Sequence, residues 1–511
     1  MQTKPVHWIL NIATNYLRFA VGMVVVFLMT PYIIGQIGME TFGLWSLVFA
    51  VVGIFGLLDF GFATAAVKTV AEATGAGDVE GRNRTLATLL MLYTFIGLVS
   101  LVLVLTVPPR ATDWFDLSEH QQGLFMPVAW MLGLAVSLNF PASLFKAALS
   151  GAGRMHVVNA IELLMTLLNA GLVYVLLEAG LGITGLALST ALTIVGTPLA
   201  LIPLAYRLLP GFSLHWRQMS VRNIRPLLSF SIYAFMANVA VLVTLRLDPV
   251  VIKMFLPLSA VALYAVAAKV AEYTFLLNKQ FSNALMPLVS QLHGRGDAAA
   301  IRRVMTDGTR LLLALALPAI GLLYYYAPEF IGLWLGAEFS ESAGLLRILL
   351  LALVPATLQL NAANILGMTG QHRFLAVGMM VSAALNLLFS IVLIAMFGIR
   401  GAALGTLAAV LIVEAAFILP HACRHSGVSA PEFLGKVVSP ALPALLPMLV
   451  TALALDHWLA TDSLALLCFK VALCGFVYLT GFVLTGLSGA ERGLLAAKVF
   501  GRTLAARLET Q

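Results

Sequence analysis

The sequence predicts an all-α polytopic membrane protein of about fourteen transmembrane helices. It does so through its composition, its spacing of apolar runs and the placement of its charges. Of 511 residues, 61% are hydrophobic and only 10% charged, with a mean hydropathy of +0.98. Soluble domains run near half apolar and about a quarter charged, so a chain this apolar needs lipid as its solvent. A spanning helix takes roughly 20 mostly apolar residues.

Segments of that length fall at about 8–34, 40–66, 84–107, 122–146, 156–178, 183–206, 224–250, 257–288, 309–327, 343–367, 373–397, 400–420, 434–455 and 463–487. The first is too long for a signal-peptide core, and Asn11, Asn15 and Arg18 interrupt it; a cleaved signal is not expected. Connections after even-numbered segments, and both ends of the chain, hold most of the cations, among them Lys4, Lys68, Arg82, Lys146, Arg154, Arg207, Arg302, Arg424 and Arg507. Odd-numbered connections hold little beyond Arg110 and Arg400, together with acids such as Asp113, Glu119, Glu329, Asp456 and Asp462. The positive-inside rule then places both termini in the cytoplasm and the chain in the cell inner membrane.

The net charge of +7 comes from these connections, not from a basic stripe interleaved with aromatics. A nucleic-acid partner is excluded on that ground. Cys423, Cys468 and Cys474 are too few for a disulfide framework and read as apolar fillers.

The chain repeats itself. LSGAGR at 149–154, Asn169 and GITGLAL from Gly182 return as LGMTGQ at 366–371, Asn386 and GIRGAAL from Gly398. A weaker pairing sets FGLW from Phe42 and GAGD at 75–78 against the stretch from Val261 and GRGD at 294–297. The repeat implies two six-helix lobes, 1–210 and 222–425, related by a pseudo-twofold along the membrane normal. Residues 430–488 hold the last two helices, and 489–511 form a basic amphipathic tail suited to the cytoplasmic leaflet, or a solvated basic end.

Charge at membrane depth costs about 2.5–3.5 kcal/mol per residue on insertion scales, so such residues tend to face a cavity or a partner. Asn11, Asn15, Arg18 and Gly22 share one face of the first segment. The eighth carries Lys269, Glu272, Tyr273, Lys279, Gln280 and Asn283, and further polar stripes include Asn159, Glu162 and Asn169 on the fifth, Asn361 and Asn364 on the tenth, and Ser382, Asn386 and Ser390 on the eleventh. Arg18, Lys269 and Lys279 are the expected anion-binding cations. Asn11, Asn15, Tyr273, Gln280, Asn283, Asn361 and Asn364 are expected polar lining, against the alternative that such amides simply join helices. Asp59, Glu162 and Glu272 are candidates for coupling to H+ or Na+. Asp59 and the Arg246–Asp248 trio are buried-charge candidates with a structural reading beside the functional one. Lys470, near the outer end of the last segment, is expected to snorkel. Glu414 and Arg347 receive no assignment. HACRH at 421–425 is not expected to bind metal, and no Walker loop or dinucleotide fingerprint is present; no cofactor is expected. The longest external connection, 108–120, is too short for the catalytic loop of a membrane glycosyltransferase.

Taken in order, Asn15, Pro31 with Gly35 and Gly38, FGLW from Phe42, Asp59–Gly61 followed by Lys68, the two GIxGxAL elements, and Tyr264, Asn283 and Pro287 carry a resemblance. The chain resembles the polysaccharide-transporter branch of the multidrug, oligosaccharidyl-lipid and polysaccharide exporter superfamily, which includes the O-antigen and lipid II flippases. The resemblance implies two lobes working by alternating access around a cationic cavity, with an undecaprenyl-pyrophosphate-linked saccharide as cargo and polysaccharide polymerase machinery as a partner. Lys68 stands where that branch often has Arg, keeping charge but losing bidentate phosphate geometry. Two competing functions are a cation- or proton-coupled drug antiporter and a membrane polymerase or ligase. The first would be expected to place acids where Arg18 stands, and the second needs a large external loop.

Overall fold

A computed structural model of the chain describes residues 5–215, 219, 235–244 and 246–493. It is helical, with no strand among the described residues. Among the described residues, twelve helices are long and apolar enough to cross a membrane, or thirteen if one bent pair is a single span. The protein is therefore a multi-pass membrane protein.

In chain order the first helices are α1 (Pro5–Ile37), α2 (Met39–Ile54), α3 (Phe62–Ala76), α4 (Val79–Trp114), α5 (Glu119–Gly151), α6 (Met155–Glu178) and α7 (Gly182–Leu208). The bent pair follows, α8 (Phe235–Thr244) and α9 (Asp248–Phe255), meeting at 41°. Then come α10 (Leu258–Gly294), α11 (Ala298–Tyr325), α12 (Ala327–Leu335), α13 (Ser340–Met368), α14 (His372–Phe397) and α15 (Arg400–His425). The chain ends in α16 (Ala430–Val437), α17 (Leu445–Trp458) and α18 (Leu464–Thr485).

Several of these differ from the hydropathy reading. The segment expected at 40–66 is two helices: α2 runs into a 3₁₀ turn, Phe55–Asp59, and Phe60 and Gly61 then take left-handed φ of 48° and 75° before α3 begins. Hydropathy averages over such a break because Phe and Gly interrupt neither the apolar run nor its mean. The segment expected at 434–455 becomes α16 and the 14-residue α17. At 1.5 Å per residue α17 is roughly 21 Å long, shorter than the hydrocarbon core. The external connection at 108–120 is mostly helix, since α4 continues through Pro108 and Pro109 to Trp114, and a Ser118–Gln121 capping box starts α5. The first part of the seventh segment, 224–234, and the basic tail from 494 onward lie outside the described residues.

By packing, the chain divides into two compact units, Met1–Ala265 and Val266–Gln511. In the first, α5 packs against α4 and α7, and α6 against α1 and α7. Its core gathers Leu47, Val48, Phe125 and Leu132 in one cluster, and Leu86, Tyr93, Leu144 and Leu149 in another. In the second unit a large cluster runs from Met305 through Ile365 and Cys423 to Tyr478. It reaches α18, so the last two helices are part of the second unit's core.

The repeated motifs take the same local structure in each unit. Asp78 accepts the Gly81 amide at 2.8 Å and so caps α4; Asp297 does the same for Ala300 at 2.9 Å at the start of α11. Such caps satisfy amides that a helix start leaves without partners. The first glycine of each GIxGxAL element, Gly182 or Gly398, has positive φ, which suits a residue without Cβ. The second packs where a side chain has no room: a Cβ on Gly185 would lie 3.0 Å from Leu176 Cβ, and one on Gly401 would lie 2.1 Å from the Leu393 carbonyl oxygen. The motif is thus a tight helical hairpin whose second helix presses on the first.

Candidate functional site

Three ionisable side chains of the first unit meet where α1, α5 and α6 come together. The Arg18 guanidinium reaches Glu162 Oε2 at 2.9 Å, and the Lys146 ammonium bonds the other oxygen, Oε1. Arg18 Nη2 also donates to Asn15 Oδ1 at 3.3 Å. The acid is the least exposed member: Glu162 is 16% exposed, against 35% for Arg18 and 48% for Lys146. Two cations share one carboxylate, and the Arg18 Nε is buried without a hydrogen-bond partner. Of the three residues, Arg18 and Glu162 are the ones that sequence reasoning singles out. Lys146 reads there as a positive-inside residue, because nothing local ties it to an acid 16 positions on.

Asn11 does different work. Its amide donates to the Gly153 carbonyl at 3.2 Å, and its oxygen accepts from the His156 backbone and ring at 2.8 and 2.9 Å. Asn159 returns bonds to the Asn11 carbonyl and to Thr14. These bonds fasten α1 to the start of α6. Asp59, at the corner between α2 and α3, accepts from the Tyr93 hydroxyl at 2.8 Å and from the Ala63 amide at 3.4 Å. Asp248 is buried and accepts from the Tyr264 hydroxyl. Lys68 lies 3.9 Å from Glu72 on one face of α3, both well exposed.

In the second unit, α10 carries the two cations expected to bind an anion, Lys269 and Lys279. Lys269 pairs with Glu272 at 3.0 Å and lies 5.9 Å from the centre of the Tyr273 ring. Lys279 is exposed, and Gln280 and Asn283 are half-buried. One helical face inward, a ladder joins α10 to α13: Asn278 donates to Thr357 at 3.0 Å, Ser282 donates to Asn361, and Asn364 donates to Ser282 at 2.8 Å. Asn361 also donates to Thr309 of α11 at 3.3 Å and is only 2% exposed. Interhelical amide bonds of this kind hold membrane helices together.

Lys470 corrects the expectation of snorkelling. Its side chain is fully buried, and its ammonium donates to Asp456 at 2.7 Å, the Leu459 carbonyl at 2.6 Å and Thr461 at 2.7 Å. Tyr325 and Tyr326 donate to the same Asp456 at 2.9 and 3.3 Å. A lysine with all three donors satisfied has no need to reach water. Within HACRH, His421 stacks on Phe374 with ring centres 3.8 Å apart, Cys423 is buried, and His425 lies 2.8 Å from the Thr369 hydroxyl. Glu414 sits in the π-helical stretch Val410–Ile418 of α15.

The pattern of the family described as "Polysaccharide biosynthesis protein" matches residues 37–344. The chain belongs to that family. Among curated relatives it is 26% identical to the probable low-salt glycan biosynthesis flippase Agl15 of Haloferax volcanii, over 74% of this chain and 76% of that one. It is 23% identical to the uncharacterized membrane protein EpsK of Bacillus subtilis, over 90% and 94% respectively. The putative O-antigen transporter of Shigella flexneri is 18% identical over 67% of this chain and 80% of its own. Among solved structures, the lipid II flippase MurJ in its inward closed conformation shares the fold with a TM-score of 0.70, at 14% identity over 93% of this chain and 98% of its own. An inward-facing multidrug resistance MATE family transporter of the MOP superfamily does so with a TM-score of 0.68, at 16% identity over 81% and 98%.

Proposed function

We propose that this protein is a flippase that moves an anionic lipid-linked saccharide, of the undecaprenyl-pyrophosphate type, from the cytoplasmic to the outer leaflet by alternating access. The observation that carries the reading is the excess of cation over acid in each unit. Arg18 and Lys146 share Glu162, and α10 sets Lys269 and Lys279 against Glu272. A pyrophosphate leaving water needs charge-assisted donors, which such surpluses supply. An antiporter for organic cations would need the opposite balance. Membership of a polysaccharide biosynthesis family, and relatives named as a probable flippase and a putative O-antigen transporter, support the same reading.

In this reading the six-helix lobes are 1–210 and 222–425, both termini are cytoplasmic, and the membrane is the cell inner membrane. Tyr273, Gln280 and Asn283 line the route beside the cations, while Asn11, Asn361 and Asn364 hold the helices that present them. Asp59, Glu162 and Glu272 are the candidates for H+ or Na+ coupling, and polysaccharide polymerase machinery is the downstream partner. The test is complementation of a strain lacking a defined lipid-linked-saccharide flippase, with the intermediates assayed by leaflet. Expression should move them to the outer leaflet. Intermediates that stay on the inner leaflet with the protein present in the membrane would overturn the reading, and a gain in organic-cation export would favour the antiporter.

A further inference from the structure

The three-residue cluster of the first unit has the chemistry of a site holding a stand-in for its ligand. Among the described residues, Glu162 is the sole carboxylate on two cations drawn from two other helices, and each cation holds one of its oxygens. Arg18 is engaged end-on: Nη1 goes to Glu162, Nη2 to the neutral Asn15 amide, and Nε to nothing. A guanidinium presents five donors in a planar fork that matches a carboxylate or phosphate bidentately. The pairing with one Glu162 oxygen leaves much of that capacity unused. The cations are also the accessible partners, at 35% and 48% exposure against 16% for the acid, so an incoming anion meets Arg18 and Lys146 before it meets Glu162. The location suits a lipid headgroup. Lys146 lies five residues from the end of α5 and Glu162 seven from the start of α6, roughly 8–10 Å along each helix. That is a level at which the headgroup of a lipid carrier can meet them.

Resting on the flippase reading, we propose that Glu162 is a displaceable counter-ion. It neutralises one of the two charges of Arg18 and Lys146 while the site is empty, and it gives up both cations to the pyrophosphate of the cargo when cargo enters. Lys146 thereby joins Arg18 as a phosphate ligand. Exchange is favourable because a group with two negative charges and several acceptor oxygens replaces a single carboxylate on the same two cations. It is reversible because Glu162 remains on α6 to recapture them when the cargo leaves. No bond is made or broken; only ion pairs are exchanged.

The experiment measures binding by calorimetry in detergent micelles, using undecaprenyl pyrophosphate and, separately, inorganic pyrophosphate. It compares the natural protein with Glu162→Gln, Arg18→Gln and Lys146→Gln. Removing the competitor in Glu162→Gln should tighten undecaprenyl pyrophosphate binding about tenfold or more, the scale of one hydrogen bond to a charged group. Each loss of a cation should weaken it by about the same factor. If the lipid binds much more tightly than inorganic pyrophosphate, the site takes a lipid headgroup; if both bind alike with the same ranking of variants, it takes the phosphate itself. Exchange stands in either case. Equal affinity in Glu162→Gln and the natural protein would overturn the counter-ion role while leaving the flippase reading intact. Absence of binding in every variant would overturn both. Should Glu162→Gln not fold, the two cation variants decide, and unchanged affinity in both sinks the proposal.

Discussion

The ammonium of Lys470 lies 2.7 Å from the Asp456 carboxylate although the lysine side chain has no exposure at all. This pair, with Tyr325 and Tyr326 donating to the same acid, ties α18 and α17 to the end of α11. Breaking a buried ion pair strands the remaining charge. Lys470→Met should therefore lower stability by about 2–4 kcal/mol, with Asp456 partly solvated and so less penalised than a fully buried acid. The melting temperature in detergent measures this; a variant that melts with the natural protein would contradict it.

Two glycines should respond oppositely to the same change. Alanine at Gly401 puts Cβ 2.1 Å from the Leu393 carbonyl oxygen, whereas at Gly367, within α13, nothing lies within 4 Å. Gly401→Ala is expected to destabilise by about 1–3 kcal/mol through overpacking against backbone. Gly367→Ala should be neutral, or stabilising by about 0.5 kcal/mol from helix propensity. Paired melts of the two variants are the check.

Cations and amides should separate function from stability. The triple variant Arg18→Gln, Lys269→Gln, Lys279→Gln is expected to reach the membrane in normal amount yet lose flipping. Asn361→Ala should instead cost about 1–2 kcal/mol of stability by removing bonds to Ser282 and Thr309. Flipping assayed by leaflet, alongside membrane abundance, resolves the two. Full activity in the triple variant would remove these cations from the transport route.

Membrane voltage should drive export. Each elementary charge crossing gains about 2.3 kcal/mol per 100 mV, so a pyrophosphate of roughly two charges gains about 4–5 kcal/mol when it leaves a negative interior. Liposomes with an imposed potassium diffusion potential, at constant pH and sodium, test this. The final distribution of cargo should follow the sign of the potential; a distribution indifferent to sign would mean that the transported complex is neutral.

The spans were legible because membrane insertion depends on summed composition, which hydropathy reads directly. The paired hairpins at Gly182 and Gly398 were legible too, because a positive φ and a close approach are both local demands that glycine answers. What sequence could not show is pairing over distance. Lys146 satisfied the positive-inside rule and so concealed its bond to Glu162. Lys470 and Asp456, separated by a helix start, carried one available signal: opposite charges at the same end of successive segments. The corner at Phe60 escaped a hydropathy window altogether, although a glycine after Asp59 was in plain view.

That corner changes how the first unit can deform. A continuous helix from 40 to 76 would be one stiff rod, and any tilt at its end would be felt along its whole length. With φ positive at Phe60 and Gly61, the rod is divided into two. Asp59 holds the joint from both sides, through the Tyr93 hydroxyl on α4 and the Ala63 amide at the head of α3. A rotation of α3 is then a torsion at two residues, with no helical hydrogen bonds to break in α2, whose buried face stays seated in the core.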